Sequence, residues 1–288
     1  MDPEIKLSSP ETHEFWKIQV CHEDAWLLAL DKPSKLLTSP DRYDPNRPNL
    51  MKLLHRDIAR SASWAQARGL TYLANGHRLD FETSGLLLMA KDKPTLIKLA
   101  DFFGGTVVKK QYVALVQGSP AEDRFETNAP IAPHAMQVGY YRVDPKNGKQ
   151  SGTAFEVLER FSGFSLLRCF PRTGRTHQIR VHLQHLRLPI VGDRMYGGQP
   201  LLLSSLKRNY RLKGAATERP LLDRVALHAE SLHLPHPSAA EPLQISSPWP
   251  KDLNVALKYL RKFAGGGARP DRADPTEWIG NVEAEEEI

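Results

Sequence analysis

One carboxylate in the chain stands where an enzyme would place a reacting group. Asp80 lies just after the basic pair His77-Arg78 and just before a polar turn and an apolar run, Leu86 to Ala90. The apolar run predicts a buried strand, so Asp80 is expected at the end of a rigid element, beside cations that favour its ionised form. Such a carboxylate can act as a nucleophile or as an acid–base group. The spacing Asp-x-x-Thr-Ser-Gly is also ordinary turn chemistry, so this segment alone leaves both interpretations open.

Two further segments supply a cation and an aromatic hydroxyl. In residues 173–183, TGRTHQIRVHL, apolar residues recur at the spacing of one helix face, which predicts a helix. Arg180 lies about 100° around that helix from Ile179, so it can face a cleft while the helix stays packed. In residues 109–116, KKQYVALV, the alternation of polar and apolar residues predicts a strand that carries Tyr112 next to two lysines.

Together, these segments resemble the RluA family of pseudouridine synthases. The matching motifs extend over roughly residues 17–250 and occur in the family's order. They are LDKPSKLLTSP at 30–40, HRLDxxTSG at 77–85, KKQYVALV at 109–116, TGRTHQIRVHL at 173–183, LPIVGDRMYGG at 188–198 and LHAESLHLPHP at 227–237. The resemblance implies an enzyme that converts uridine in RNA to pseudouridine: the N-glycosidic bond breaks, the uracil rotates and a C–C bond forms. It implies no cofactor and no metal.

The resemblance also assigns roles to individual residues. Asp80 matches the catalytic carboxylate, which would attack the sugar, attack the base or remove a ribose proton; the sequence leaves these routes open. Arg180 matches the arginine that ion-pairs with this carboxylate, and Tyr112 matches the tyrosine that stacks on the target base and is expected to help deprotonate the isomerised uracil. Arg78 matches an arginine that enters the base stack when the uridine is flipped out, as chemistry on a base in folded RNA requires. The other residues expected to contact RNA are His77, Arg175, His177 and Gln178.

The chain departs from the family pattern at three positions. Lys35 stands where relatives usually have glycine, Gly76 where a small apolar residue usually precedes histidine, and Leu188 where histidine usually precedes Pro-Ile. None of these positions belongs to the catalytic set. They bear on contacts with the substrate more than on activity.

Several other functions compete with this interpretation. A metal-dependent hydrolase would use His177, His182 and His185, but their spacing does not place all three on one helix face. A serine hydrolase built on Ser84 lacks the G-x-S-x-G turn, and a phosphate-binding loop at Gly104-Gly105 lacks its Lys-Ser/Thr ending. The main alternative is a protein that binds or folds RNA without catalysis.

The order of predicted elements indicates an α+β fold. Strands and helices alternate irregularly, with hairpin-type links, which favours a mixed, mostly antiparallel sheet flanked by helices. The family resemblance adds a central RNA-binding cleft along one face of the sheet. We expect a loose N-terminal leader at residues 1–16, a catalytic domain at 17–263 with a basic insertion at about 199–224, and a disordered acidic tail at 264–288.

Composition restricts the partners and the compartment. The net charge is +6, and residues 172–224 hold 11 Lys/Arg against 3 Asp/Glu, a clustering expected of a protein that binds a polyanion. Two cysteines, Cys21 and Cys169, are too few for a zinc site or a disulfide framework. No apolar run is long enough to span a membrane. We therefore expect a cytoplasmic monomer whose partner is ribosomal or transfer RNA, with ribosomal RNA slightly favoured.

Overall fold

A computed structural model describes residues 3–41, 44, 46–211 and 217–265 of the 288-residue chain. The predicted acidic tail from residue 266 onward and residues 212–216 of the predicted insertion lie outside these ranges. The strands are β1 (Glu4–Ser8), β2 (Phe15–Glu23), β3 (Leu27–Lys32), β4 (Ala74–Asn75), β5 (Ser84–Ala90), β6 (Lys109–Gln117), β7 (Arg124–Thr127), β8 (Ile131–Pro133), β9 (Tyr141–Val143), β10 (Thr153–Phe161), β11 (Phe164–Pro171), β12 (Leu227–Leu234) and β13 (Leu243–Ser246). The α-helices are α1 (Leu50–Ala59), α2 (Ser63–Gln66), α3 (Lys93–Gly104), α4 (Gln178–His185), α5 (Leu203–Leu206) and α6 (Lys251–Phe263), and one turn of 3₁₀-helix spans Arg194–Tyr196.

The described strands form one large sheet and one small ribbon. The large sheet has the order β1-β2-β3-β5-β12-β6-β11-β10-β7, with β4 paired to β5 and β13 to β12, while β8 and β9 pair separately. Within the described residues, β5 and β12 are the one parallel pair, and the other pairs are antiparallel. The predicted α+β fold with a mostly antiparallel sheet is confirmed.

The parallel pair divides the molecule into two halves, each with its own apolar core. The first half packs α1, α2 and α3 with strands β1, β2, β3 and β5, and the second packs α4 and α6 with strands β6, β10 and β11. At the junction, Gly85 has φ +110°, and a Cβ there would lie 2.3 Å from the carbonyl oxygen of Ala229. Only glycine allows β12 to approach β5 this closely, which explains the glycine that follows the Thr-Ser pair. Tyr112 packs against both cores.

Two predicted segments differ from the structure. Residues 4–8, predicted to be part of a loose leader, form β1, because Ile5 and Leu7 alternate with polar residues and are buried against β2. Five residues with two apolar side chains are too short a pattern to stand out in the sequence. The spacing of Leu50, Leu53, Leu54 and Ile58 predicts helical character over 49–64, whereas the structure divides this stretch into α1 and α2 at Ser61, where φ is +55°. Among the described helices, none combines the length and apolarity needed to cross a bilayer.

Candidate active site

The loop that carries Asp80 is fixed by the segment just after β3. Residues 33–38 bind the main chain of this loop at three positions. The hydrogen bonds run from Lys35 N to Phe81 O (2.8 Å), from Ser34 Oγ to Glu82 O (2.7 Å) and from Thr38 Oγ1 to Leu79 O (2.9 Å). The Thr83 N–H also donates to the Asp80 carbonyl (3.2 Å), which closes the turn that leads into β5. The two motifs are therefore joined through their backbones, and Asp80 sits on a rigid support.

Two lysines of this supporting segment are held in unusual environments. Lys32 is fully buried, and its ammonium donates to the carbonyls of Pro33 (2.8 Å) and Leu36 (2.7 Å). Burial lowers the pKa of Lys32 to about 7, and the nearby negative charge of Asp80 opposes that shift. Lys35, which replaces the usual glycine, has φ +61°, in the left-handed region where glycine is preferred. Lys35 therefore departs from the family pattern at a position whose backbone conformation favours glycine.

Arg180 is directed at the pocket by a second carboxylate, which the sequence analysis did not identify. Arg180 is buried on α4 and donates from Nε to Asp193 Oδ2 (2.7 Å) and from Nη2 to Asp193 Oδ1 (2.9 Å). Its remaining nitrogen, Nη1, lies 3.5 Å from Asp80 Oδ2. The guanidinium thus forms a two-bond fork with Asp193 and a longer contact with Asp80. The structure brings the predicted Asp80–Arg180 pair together, but Asp193 is the closer partner.

A histidine and a tyrosine complete this side of the site. His177 precedes α4 with φ +56°, and its Nε2 lies 3.9 Å from Asp80 Oδ2. Its Nδ1 lies 2.8 Å from the Tyr196 hydroxyl, which also accepts a hydrogen bond from Tyr141 N (3.0 Å). Burial lowers the pKa of His177, although the charge of Asp80 acts in the opposite direction. A neutral ring that accepts the Tyr196 proton at Nδ1 carries its own proton on Nε2, on the side of Asp80.

The opposite wall of the pocket comes from one face of β6. Tyr112 and Lys110 are two residues apart on this strand, so both side chains point to the same face, and both line the pocket. Burial, together with the charge of Asp80, raises the pKa of Tyr112 above its ordinary value. The phenol is therefore protonated at neutral pH.

The other residues predicted to contact RNA fall into two groups. Arg78 and Arg175 are exposed at the pocket, and Arg175 donates from Nε to Gln150 O (3.0 Å). His77 lines the pocket wall but accepts the Leu88 N–H at Nε2 (3.0 Å), and burial lowers its pKa to about 3.

Gln178 is buried, and both ends of its side-chain amide form hydrogen bonds with neighbouring residues of the chain. It accepts from Thr173 Oγ1 (2.6 Å) and Arg175 N (3.0 Å), and it donates to Gly152 O (2.8 Å) and Thr153 Oγ1 (3.0 Å). These four bonds exhaust its hydrogen-bonding capacity. In this conformation Gln178 shapes the turn before α4 and has no donor or acceptor left for RNA.

The histidine cluster considered as a metal site is dispersed. His182 is buried, with Nδ1 2.8 Å from Thr153 Oγ1 and Nε2 3.0 Å from Ala129 O. Both of its ring nitrogens therefore have partners on neighbouring strands and loops. Among the residues that the structure describes, no three His, Cys, Asp or Glu side chains are arranged to hold a metal ion.

Asp80, Tyr112 and Arg180 line one open pocket of about 250 Å³, together with Arg78 and His177. The pocket lies where the two halves of the molecule meet, with Asp80 supplied by the first half and Tyr112 and Arg180 by the second. Folding of both halves is therefore needed to assemble it.

Comparisons with known proteins agree with this geometry. Residues 26–185 match the family model described as RNA pseudouridylate synthase. The chain is 34% identical over 256 residues to ribosomal large subunit pseudouridine synthase D of Xanthomonas campestris, covering 87% of this chain and 72% of that protein. It is 40% identical over 186 residues to ribosomal large subunit pseudouridine synthase C of Vibrio parahaemolyticus, covering 65% of this chain and 55% of that protein.

The fold also resembles a solved structure. Human RNA pseudouridylate synthase domain containing 4 superposes with a TM-score of 0.63 at 24% identity, covering 84% of this chain and 92% of that one. At this identity the likeness concerns the fold, while the family model and the curated relatives carry the assignment. The chain belongs to the RNA pseudouridylate synthase family, as the RluA-type motifs predicted, and is an RNA pseudouridine synthase.

Proposed function

We propose that this enzyme isomerises uridine in large-subunit ribosomal RNA and that Asp80 is its catalytic carboxylate. The RNA target follows the names of the relatives, which are ribosomal large subunit pseudouridine synthases. The observation that carries the role of Asp80 is its position beside Arg180 Nη1, in an open pocket of about 250 Å³ that Tyr112 also lines. Two nitrogens of Arg180 bind Asp193, so the positive charge of Arg180 is shared between two carboxylates. Its third nitrogen, Nη1, can therefore orient Asp80 while Asp80 keeps part of its negative charge.

The pocket residues divide the work of an isomerisation that needs no outside reagent. The N1–C1′ bond breaks, the C5–C1′ bond forms, the C5 proton leaves and N1 gains a proton. Asp80 acts on the ribose or the base at the start, Tyr112 stacks on the uracil and keeps it in the pocket while it turns, and Arg78 fills the gap left in the RNA. The raised pKa of Tyr112 supports a stacking and hydrogen-bonding role for a protonated phenol.

The test is tritium release from RNA labelled at uracil C5, with unmodified large-subunit ribosomal RNA and transfer RNA as separate substrates. Wild type is expected to release tritium from the ribosomal RNA, and Asp80→Asn is expected to lose at least about 10³-fold of that rate while it still binds RNA. Asp101→Asn, a change at an exposed carboxylate on α3, is the matched control and should keep the wild-type rate.

The outcomes separate the two parts of this proposal. Release from transfer RNA alone would overturn the assigned substrate and leave the role of Asp80 intact. Equal release by wild type and Asp80→Asn would overturn the role of Asp80. Equal RNA binding by both proteins, with no release by either on any RNA, would favour the alternative of an RNA-binding protein without catalysis.

A further inference from the structure

Lys110 is a half-buried cation in the active-site pocket to which the reaction assigns no role. Its ammonium donates to the Thr173 carbonyl (3.2 Å), and no other hydrogen bond or ion pair of this side chain is found within the described residues. Burial lowers the pKa of Lys110 to about 8. Burial, and after it the charge of Lys110, lowers the pKa of His77, and both side chains line the pocket.

Other lysines with little exposure are compensated more fully. Lys91 donates to Glu23 Oε1 (2.8 Å) and to Asp24 O (2.6 Å), so it has a carboxylate partner. Lys32 donates to two carbonyls at 2.8 Å or less. Lys110 has one carbonyl at a longer distance and three N–H donors to satisfy. Lys110 is half-buried and lines the pocket, so an anion that enters the pocket could satisfy the donors that the Thr173 carbonyl leaves unpaired.

The position of Lys110 indicates which anion that is. It stands two residues before Tyr112 on the same face of β6, beside the stacked rings of His77 and Phe103, whose centroids are 4.6 Å apart. A nucleotide that enters the pocket to reach Asp80 and Tyr112 brings its flanking phosphates to this wall. The exposed Arg78 lies at the same pocket. We propose that Lys110 binds a backbone phosphate next to the flipped nucleotide; this rests on the proposed function, in which RNA enters this pocket.

The binding test uses Asp80→Asn enzyme, so that turnover does not affect the result, and a large-subunit ribosomal RNA transcript as the probe. Lys110→Met is expected to weaken binding about tenfold and to reduce the slope of log affinity against log salt by about 0.7 to 0.9, the loss of one phosphate contact. Lys110→Arg keeps the charge and should stay close to the parent in both measures.

Lys109→Met is the matched control, because Lys109 is the adjacent lysine on the opposite face of β6. It removes the same charge from the protein but not from the pocket, and its binding and salt slope should stay near those of the parent. Equal effects of the two methionine variants would overturn the proposal, since they would show a general response to net charge. An unchanged salt slope in Lys110→Met would overturn it as well.

Two readouts separate this role from a structural one and from failure of the proposed function. In otherwise wild-type enzyme, Lys110→Met should raise KM about tenfold with little change in kcat, and its melting temperature should not fall, because a poorly compensated cation is removed. A lower melting temperature together with a lower kcat would overturn the phosphate role in favour of a structural one. Normal tritium release by wild type with unaltered KM in Lys110→Met would overturn this inference alone.

Discussion

Two buried arginines of the second half form the same ion pair and use it differently. In the cleft pair, Arg180 contacts Asp193 at 2.7 and 2.9 Å; in the helix pair, Arg224, just before β12, contacts Asp252 of α6 at the same two distances. Each arginine side chain is 5% exposed. Distance and burial therefore do not distinguish a pair that lines the pocket from one that joins a helix to a strand.

The third nitrogen of each guanidinium does distinguish them. Arg224 Nη1 donates to the carbonyls of Val225 (3.0 Å) and Leu227 (3.4 Å), so its donors are spent on the fold. Arg180 Nη1 lies 3.5 Å from Asp80, at the pocket. Arg180 is held by one carboxylate and keeps one donor that faces the cleft. Such an arginine is preorganised, because no further free energy is needed to position it when the substrate binds. The backbone just before Asp193 approaches that of Arg224 closely, since a Cβ on Gly192 would lie 2.1 Å from the Arg224 carbonyl oxygen.

The comparison is tested most strongly by replacing each arginine with lysine. Lysine keeps the charge but loses the fork, so both variants should be less stable than wild type. We expect Arg180→Lys to lose about 10²- to 10³-fold in kcat/KM, the size of effect found when one preorganised donor is removed. Arg224→Lys is its matched control and should keep near wild-type kcat/KM for the folded fraction. Tritium release well below both melting temperatures measures this, and equal losses would show that the third nitrogen does not matter.

A second test compares the two carboxylates that face Arg180. Asp193→Asn removes the closer partner and leaves a buried guanidinium with weakened compensation, so the free energy of unfolding should fall by about 3 kcal/mol. Asp80→Asn leaves the fork in place, and we expect a change below about 1 kcal/mol, although activity is lost. Urea denaturation of both variants gives these values. The reverse order would mean that Asp80 is the principal partner of Arg180.

The aromatic ring beside the cleft pair gives a smaller effect. Arg180 Cζ lies 4.9 Å from the centre of the Tyr196 ring, and the Tyr196 hydroxyl contacts His177 and Tyr141 N. Tyr196→Phe keeps the ring, whereas Tyr196→Leu removes it. The leucine variant should be about tenfold less active than the phenylalanine variant, because a buried cation–π contact contributes roughly 1 kcal/mol or more. Equal activities would show that the ring does not support Arg180.

The sequence predicted the parts of this site that follow from local patterns. Alternation placed Tyr112 on a strand, helical spacing placed Arg180 on α4, and the apolar run after the turn placed Asp80 before β5. Together with the family motifs, these patterns were enough to predict that the three side chains share one site. The α+β fold also followed from the order of elements.

What the sequence did not predict depends on contacts between segments. Asp193 lies in the matched motif at 188–198, but its partner, Arg180, is on a different element. The periodicity of the sequence does not indicate which carboxylate pairs with a given arginine. The motif predicts RNA contact for Gln178 itself, and only the structure shows that Thr173, Arg175, Gly152 and Thr153 saturate its amide. Ile5 and Leu7 are recognised as core residues only in the structure, where β1 pairs with β2 and both side chains join the first apolar core.

The smallest predicted effect concerns acid stability and involves the helix pair alone. Burial raises the pKa of Asp252, but the hydrogen bonds and charge of Arg224 outweigh this and leave the pKa below its ordinary value. A carboxylate with a lowered pKa in the folded state binds its proton more weakly there than in the unfolded chain. Its stabilisation is therefore complete above the unfolded pKa, near 3.9, and is lost as the pH falls through the lower, folded value.

Asp252→Asn should consequently be less stable than wild type by about 0.5 to 1 kcal/mol at neutral pH, a modest value because the Asp252 side chain is 40% exposed and screened by solvent. The difference should shrink toward zero as the pH is lowered below about 4, since the wild-type carboxylate is then protonated as well. Urea unfolding of the two proteins across this range measures the difference directly. A constant difference at all pH values would mean that the amide disturbs packing and that the charge of Asp252 contributes nothing to the helix pair.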